Sequence, residues 1–323
     1  MKTPLSTDAA YLIVNADDYG YFRCVSRGIL AAAENGIVTA TGILANGPHF
    51  EECVRWLREG PELDLGVHLN LTLGEPLTAD MRRHLERWSG RFPAKFTLAR
   101  ALLAHAIPMR AVETEWRAQI ERCLDAGLSL HFLNAHEHLH MFPGLYRRAH
   151  DLAVHYAIPH VRLTRPDRAP PFKPSPLLRH ALMRGLAWLH QNAGGRQHAA
   201  VFLGLSESGR LDERALTRTL AGIRPGWVCE LMCHPGFDDP AEIASSALRR
   251  YHDWEGEYRA LTAPAVREAL DARGIRVIGY RHLPQPEGPG LAGARSSPME
   301  DDAICLSGQP SSMRSEPQTP RLP

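Results

Sequence analysis

The sequence lacks any run of apolar residues that approaches the roughly 20 needed to cross a membrane as a helix. Its first residues lack the apolar segment of a secretory signal, so a cytoplasmic protein is expected. The chain also lacks an excess of charge, because 37 basic and 36 acidic side chains leave a formal charge of only +1. Binding to nucleic acid or anionic lipid through bulk electrostatic attraction is therefore not expected.

Cysteine is scarce, with 6 residues among 323 and no C-x-x-C pair. Several cysteines fall in otherwise apolar segments, which favours buried free thiols in a reducing compartment. The remaining composition, 44% hydrophobic and 23% charged, is typical of a globular protein with a core of normal size.

The length of 323 residues allows one large domain or two small ones. Apolar periodicity without an internal repeat predicts a single domain over residues 10–283. Residues 1–9 are predicted to be a flexible N-terminus. The final residues, 284–323, are rich in Pro, Ser, Gly and charge and cannot bury enough apolar surface to fold, so a disordered tail is predicted there.

Short apolar runs alternate with helical segments along the predicted domain. The runs that predict strands are 12–15, 37–45, 63–71, 131–135, 160–163, 201–205, 228–233 and 275–279. The segments that predict helices are 23–35, 50–58, 113–125, 145–156, 177–190, 213–221 and 258–273. This alternation predicts a parallel α/β fold, and the chain length fits a barrel better than a doubly wound sheet. The segment 72–108 is less regular and is a candidate substrate lid.

Two adjacent carboxylates, Asp17 and Asp18, follow the apolar run at residues 11–14, within the sequence NADDYG of residues 15–20. Like charges this close repel each other, and they persist together when a cation offsets them. A bound metal ion is the natural candidate because the chain contains 17 histidines. The pair suggests a division of roles, in which one carboxylate binds the ion and the other acts as a base.

Polar residues follow three further predicted strands. His68 lies near the end of the third strand, residues 134–140 read NAHEHLH, and His234 follows the strand 228–233. Because the C-terminal ends of parallel strands meet on one face of the fold, these side chains are expected to converge with the two carboxylates. One carboxylate and two imidazoles form a normal mixed site for a divalent ion. If residues 136–140 are extended, alternation places all three of their histidines on one face.

Each feature also has a purely structural interpretation. An Asp-Asp pair can form a turn and a helix cap, a histidine in a buried strand can be a hydrogen-bonded core residue, and a histidine before proline can occupy a turn. The coincidence of all four features at successive strand ends favours a common site.

Four motifs in this order resemble the signature of YdjC-like carbohydrate deacetylases, the ChbG/HpnK group. The motifs are NADDYG at 15–20, GVHLNLT at 66–72, HEHLHMFP at 136–143 and MCHP at 232–235. The resemblance covers roughly residues 11–282.

The chain differs from that signature at two positions. Tyr19 replaces the commoner Phe, and Glu137 stands where many members have His. Two further segments, VRLTRP at 161–166 and VFLGLSESG at 201–209, resemble the hopanoid-associated HpnK branch of the family.

The resemblance implies a TIM-like (β/α) barrel with a reduced number of strands, of the polysaccharide-deacetylase type. It implies one divalent ion, Mg²⁺ or Zn²⁺, held by Asp18, His68 and His136. It also implies hydrolysis of the N-acetyl group of an amino sugar, in an oligosaccharide or glycolipid that contains N-acetylglucosamine. Asp17 would take a proton from the attacking water, and His234 would protonate the leaving amine, because an amide anion is too poor a leaving group.

Neighbouring polar residues are candidates for supporting roles. His138 and His140 are candidates to orient the ligands. Either Arg162 or Arg165 is a candidate to hold the base or to contact the substrate, with a surface ion pair as the alternative. Glu137 adds a carboxylate near the ion. A small carbohydrate or glycolipid is the expected partner, and the chain is a candidate homodimer.

Two other functions stay open at this point. A non-catalytic protein that binds a sugar or glycolipid would have the same fold, but it would be expected to lose Asp17 or His234. A metal-dependent hydrolase of another bond is the second alternative. A two-metal phosphoesterase would need more acidic ligands than these strand ends supply, and a glycosidase would need two separated carboxylates rather than an adjacent pair.

Overall fold

The computed structural model describes residues 5–166, 174–190 and 200–284. The predicted tail therefore lies outside the described residues except for Pro284, and the predicted flexible N-terminus is described only from Leu5. Within the described ranges, no helix combines the length and the apolar character that crossing a bilayer requires.

A parallel sheet forms the centre of the fold. Its eight strands within the described residues are β1 (Ala10–Tyr19), β2 (Ala40–Ile43), β3 (Asp64–Leu69), β4 (Leu130–Ala135), β5 (His160–Val161), β6 (Val201–Leu203), β7 (Val228–Cys233) and β8 (Ile275–Ile278). The hydrogen-bonded order is β5-β4-β3-β2-β1-β7-β6. An isolated parallel bridge between Pro166 and Phe202 joins the chain beyond β5 to β6. The hydrogen-bonded order contains seven of the eight described strands, one fewer than in a TIM barrel, so the predicted barrel with a reduced number of strands is confirmed.

Strand β8 lies beside this ring at the N-terminal end of the barrel. It pairs with the first residues of β1, on the same edge that β2 uses from Asn15 onward. The hydroxyl of Thr39 donates a hydrogen bond to the carbonyl of Ile278 at 2.8 Å, which ties β8 to the chain before β2. The last strand therefore extends the sheet at the end opposite the predicted site.

Helices cover the outer face of the sheet. Within the described residues they are α1 (Arg23–Asn35), α2 (Phe50–Glu59), α3 (Ala79–His84), α4 (Lys95–Leu103), α5 (Met109–Asp125), α6 (Leu145–His155), α7 (Pro174–His190), α8 (Glu213–Ala221), α9 (Ser246–Tyr251), α10 (Trp254–Thr262) and α11 (Pro264–Asp271). Short 3₁₀ segments span Glu86–Trp88, His136–Met141 and Tyr280–His282.

Alternation along β1 separates two environments. One set of alternate residues packs in the main apolar cluster between the sheet and the helices. The opposite set begins with Ile13, which packs with Phe132 in a smaller cluster inside the barrel. Asn15 and Asp17 continue this second set, so their side chains also face the interior. The barrel interior is therefore apolar near the N-terminal ends of the strands and polar near their C-terminal ends.

Three predictions of local structure are wrong. The segment 72–108 is not an irregular connection, because it contains α3, a 3₁₀ turn and α4, which are too short to show a clear apolar period. The helix predicted over 258–273 is two helices, α10 and α11, because Pro264 has no N–H with which to continue α10. Strand β1 runs to Tyr19 rather than ending before the two carboxylates.

The cysteines of the described residues are buried in the main apolar cluster. The free thiols among them include Cys24, Cys53, Cys123 and Cys233. Burial raises the pKa of Cys123 to about 12, so this thiol is protonated and unreactive at neutral pH. Cys305 lies outside the described residues.

Helix α1 packs backbone to backbone against the segment that follows β7. A Cβ atom at Gly28 would lie 2.3 Å from the Cα atom of Gly236, which is shorter than any real contact of this kind. We therefore expect Gly28→Ala to lower the free energy of unfolding by about 1–3 kcal/mol, although alanine is the better helix former. Urea unfolding of the variant and the parent protein measures this difference.

The matched control is Gly185→Ala in α7. A Cβ atom at Gly185 would have nothing within 4 Å. This variant should be neutral or gain up to about 1 kcal/mol from helix propensity. Equal unfolding midpoints for the two variants would contradict the close approach of α1 to Gly236.

Candidate active site

The two adjacent carboxylates occupy a bulge at the C-terminal end of β1. The register with β2 shifts between Ala16 and Tyr19, so β1 carries one extra residue there. Asp18 takes up this irregularity with a φ of 73°, in the left-handed region that costs a non-glycine residue roughly 1–3 kcal/mol. Alternation already directs Asp17 into the barrel interior, and the extra residue returns Tyr19 to the outer cluster.

Asp18 meets two histidines from other strands. Its Oδ1 atom lies 3.2 Å from Nε2 of His68, near the end of β3, and 2.9 Å from Nδ1 of His136, which follows β4. One ligand atom from each of the three residues lies within 4.8 Å of the other two. A carboxylate oxygen and two imidazole nitrogens are the donors of a divalent ion site that keeps positions open for water and substrate, so these residues fit such an ion.

The segment after β4 is a 3₁₀ turn, so the condition under which alternation would place its three histidines on one face is not met. Glu137 and His138 adopt left-handed backbone angles, with φ of 54° and 57°. This reversal sends the histidines in different directions. His138 Nδ1 lies 3.2 Å from the Thr164 hydroxyl, and Nε2 of the buried His140 donates to the carbonyl of Arg162 at 2.9 Å.

The two later histidines of this turn are neutral. Burial, followed by the charge of Arg162, lowers the pKa of His138 well below its usual value. The same two causes lower the pKa of His140 to about 3. Neither ring belongs to the group formed by Asp18 and the two histidines above, so their contacts support the loops around the site.

Asp17 is held by four N–H donors inside the barrel. Its Oδ1 atom accepts from Asn15 Nδ2 at 2.7 Å, from Asn134 Nδ2 at 2.8 Å and from Arg162 Nη2 at 3.1 Å. Its Oδ2 atom accepts from Arg162 Nη1 at 2.7 Å. Burial alone would raise the pKa of this carboxyl, but the Arg162 guanidinium holds it well below its usual range. Asp17 is therefore ionised at neutral pH.

Arg162 is shared between two buried carboxylates. Besides Asp17, it contacts Glu230 of β7, whose Oε1 atom accepts from Arg162 Nε at 2.5 Å. Burial raises the pKa of Glu230, and the guanidinium partly opposes this change. Sequence reasoning had left Arg162 and Arg165 as alternatives. The structure places Arg162 against Asp17, whereas Arg165 is exposed and its carbonyl accepts from the N–H of Phe202.

His234 follows β7 and is 7% exposed. Its backbone N–H donates to Oε2 of Glu257 at 2.5 Å, and its Nδ1 atom lies 3.9 Å from Oε1 of the same carboxylate. The His234 ring meets the edge of His252 at 5.0 Å between centroids, and His252 stacks on Trp254. His234 is thus held from two sides by residues of α10 and of the chain just before it.

Glu137 points away from the ion site. Its carboxylate pairs with the ammonium of Lys95 at 2.8 Å, so it connects the turn after β4 to α4. Both side chains are partly exposed, and such pairs contribute little to stability. The substitution of Glu for His at this position therefore adds a link to the 72–108 segment rather than a ligand atom to the group around Asp18.

Sequence reasoning missed several polar residues of this centre. They are Asn15, Asn134, Glu230, Glu257 and His252. A signal was present for the first three, because each lies on a strand at a position that alternation directs into the barrel. No such signal existed for Glu257 and His252, because their contact with His234 depends on how α10 packs against the sheet.

The sequence of this chain matches the family model described as YdjC-like protein over residues 11–272. The chain belongs to the YdjC-like family. The matched range begins in β1 and ends just after α11, so it includes every residue of the centre described above.

Relatives of this YdjC-like chain include two proteins that are named carbohydrate deacetylase. The one from Geobacillus stearothermophilus is 31% identical over 276 residues, which cover 84% of this chain and 98% of the relative. The one from Vibrio cholerae is 30% identical over 275 residues, which cover 84% and 96%. A solved structure from Enterococcus faecalis, which bears the name cellobiose-phosphate cleavage protein, superposes with a TM-score of 0.65 at 25% identity, over 84% of this chain and 98% of that one.

The protonation of His136 predicts how ion binding to this YdjC-like protein depends on pH. Burial of the ring opposes its charged form, but the Asp18 carboxylate outweighs burial and raises the pKa of His136. An ion needs the unprotonated nitrogen, so binding must displace this proton. We expect proton release on addition of Zn²⁺ to be largest below the raised pKa and to disappear as the pH rises through it.

Calorimetric titration in two buffers with different ionisation enthalpies measures the number of protons released at each pH. His136→Asn is the control, because asparagine offers a ligand oxygen and does not titrate. Heats that are independent of the buffer across pH 6–9 would contradict the protonated state of His136 in the ion-free protein.

Proposed function

We propose that this protein is a carbohydrate deacetylase that hydrolyses the N-acetyl group of an amino sugar and uses one divalent ion bound by Asp18, His68 and His136. The observation that carries the proposal is the convergence of three ligand atoms beside a separate, ionised carboxylate, Asp17. A hydrolase needs both an electrophilic centre and a base within reach of one water molecule. The names of the two 30–31% identical relatives support the same reaction.

When bound, a divalent ion would polarise the acetamide carbonyl and lower the pKa of a nearby water. Asp17 accepts the proton of the attacking water. Its Oδ1 atom already receives three N–H donors and Oδ2 receives one, so Oδ2 has the lone pair available for this proton. Arg162 keeps the carboxylate ionised and in place before the reaction.

His234 supplies the proton that the leaving nitrogen needs. As the water oxygen bonds to the carbonyl carbon and the C–N bond breaks, the nitrogen takes a proton from His234 and departs as an amine. Glu257 accepts from the backbone N–H of His234 and lies 3.9 Å from its Nδ1 atom, so it holds this residue in place after β7. The products are acetate and a free amino sugar.

The substrate that we propose is an oligosaccharide or glycolipid that contains N-acetylglucosamine. The segments 161–166 and 201–209, which resemble the hopanoid-associated branch, favour a glycolipid within this class. For the ion we retain Zn²⁺ and Mg²⁺, and two imidazole donors favour Zn²⁺ on ligand softness. The 72–108 segment is proposed as the lid, because Lys95 of α4 contacts the turn that carries His136.

A second candidate function is cleavage of a glycosidic bond, which the name of the Enterococcus faecalis protein suggests. Glycosidases place two carboxyl groups on either side of the bond, roughly 5–9.5 Å apart. The buried carboxylates near this centre are already engaged, because Glu230 binds Arg162 and Glu257 binds the backbone of His234. The geometry therefore supports deacetylation better than glycoside hydrolysis.

Product analysis tests the proposed reaction. Zinc-loaded protein incubated with an N-acetylglucosamine oligomer, and separately with an N-acetylglucosaminyl lipid, should release acetate and free amine in equal amounts. No increase in reducing ends or in phosphate is expected. Reducing ends without acetate would replace the deacetylase proposal with glycoside hydrolysis.

Substitutions of the two adjacent carboxylates separate their roles. We expect Asp17→Asn to lower kcat by at least about 100-fold while the protein retains its ion, because the asparagine cannot take the proton. Asp18→Ala should lose the ion as well as the activity, because alanine offers no ligand atom. Acetate release and metal content of the purified proteins measure the two effects.

The control for these variants is Asp151→Asn, which changes an exposed carboxylate of α6. It should match the parent in acetate release and metal content. Full activity of Asp17→Asn would show that another group acts as the base.

A further inference from the structure

Asn134 connects the proposed base to one of the proposed ion ligands. It lies on β4, is fully buried, and is the register partner of His68 on β3. Its Nδ2 atom donates to Oδ1 of Asp17 at 2.8 Å, and its Oδ1 atom lies 2.8 Å from Nδ1 of His68. One amide group therefore contacts both functional side chains.

The orientation of this amide is determined by its neighbours. Oδ1 of Asp17 also accepts from Asn15 Nδ2 and Arg162 Nη2, so this oxygen is an acceptor and the NH₂ group of Asn134 must face it. The amide oxygen must then face His68, and it can only accept. Nδ1 of His68 must therefore carry a proton, so Nε2 is the ring nitrogen that can offer a lone pair to an ion.

The free nitrogen of His68 is the one that faces Asp18, at 3.2 Å from its Oδ1 atom. Two acceptors at this distance repel each other unless a proton or a cation lies between them. The tautomer imposed by Asn134 is thus the one that can bind an ion shared with Asp18.

The neighbouring strand β2 carries a glycine, Gly42, where Asn134 and His68 meet. A Cβ atom at Gly42 of β2 would lie 3.1 Å from Oδ1 of Asn134 and 3.3 Å from Nδ1 of His68. These contacts are tighter than nearly all real Cβ contacts, so a side chain at Gly42 would push the pair apart. This packing observation is independent of the hydrogen bonds and points to the same pair.

We propose that Asn134 is a positioning residue that selects the ring nitrogen of His68 for the ion and links this choice to the carboxylate of Asp17. The proposal rests on the proposed function for the identity of the ion site. It assigns Asn134 no contact with the substrate. The base and the ion site are, on this view, a single hydrogen-bonded unit rather than two neighbouring groups.

Three substitutions test the proposal through the affinity for Zn²⁺, measured by calorimetric titration of the ion-free protein. Asn134→Leu removes both hydrogen bonds and should weaken Zn²⁺ binding by about 10–100-fold. Asn134→Asp still accepts from Nδ1 of His68 but places a second carboxylate against Asp17. It should bind Zn²⁺ at least as tightly as the parent protein, while kcat falls.

Asn15→Leu is the matched control. Asn15 also donates to Oδ1 of Asp17, at 2.7 Å, but its hydrogen bond does not involve His68. This variant should keep the parent affinity for Zn²⁺ within about threefold, whatever happens to kcat. Thermal unfolding of each variant shows whether it is folded. If Asn134→Leu does not fold, the comparison of the Zn²⁺ affinities of Asn134→Asp and Asn15→Leu tests the proposal.

The outcomes separate the two proposals. Parent-like Zn²⁺ affinity of folded Asn134→Leu, weakened affinity of Asn134→Asp, or equal weakening by Asn15→Leu would overturn the positioning role. If the affinities follow the expected pattern but the parent protein releases no acetate from any N-acetyl sugar, the positioning role stands and the deacetylase proposal fails.

Discussion

A buried ion pair between Asp17 and Arg162 is the constraint on which the rest of this centre depends. Both side chains lie inside the barrel, where an unpaired charge would be several kcal/mol unfavourable. The pair is tolerated because the carboxylate accepts four N–H hydrogen bonds and the guanidinium binds two carboxylates. Glu230 takes the third side of the guanidinium, and Asn15 and Asn134 complete the shell of the carboxylate. These polar side chains occupy interior positions that a simple barrel would fill with apolar residues.

The barrel shields this buried pair from solvent. Below it, Ile13, Phe132 and Tyr280 form an apolar plug near the N-terminal ends of the strands. Above it, the side chains of Asp18 and His136 remain 16% and 20% exposed. Polarity and solvent exposure therefore increase along the barrel axis. The N-terminal end is apolar, the Asp17–Arg162 layer is charged and buried, and the group around Asp18 is partly exposed. A substrate would reach the group around Asp18 first, and the proposed base, Asp17, lies beneath this group and is shielded from bulk solvent.

The sequence indicated much of this arrangement because the arrangement depends on patterns that can be seen within short stretches of the chain. Alternation of apolar and polar residues in strands and the strand–helix rhythm are local properties, and together they predicted a parallel barrel. The same logic placed Asp18, His68 and His136 at strand ends, and the structure brings their ligand atoms within 4.8 Å. Prediction from these local patterns failed where the backbone departs from regular strand or helix geometry. The bulge at Asp18 and the left-handed angles at Glu137 depend on neighbouring strands and loops, which a local pattern does not contain.

By itself, the sequence determined which residues lie at the C-terminal ends of the strands. The position of a residue along its strand sets the face of the sheet and the end of the barrel at which its side chain lies. The sequence did not determine which atoms face each other. The tertiary structure decided that Arg162, not Arg165, holds Asp17. It also decided that Nδ1 of His68 contacts Asn134 while Nε2 faces Asp18. The contact of Arg162 with Asp17 joins residues 145 positions apart in the chain, and the contact of Asn134 with His68 joins residues 66 positions apart. Contacts over such separations exist only once the barrel has closed.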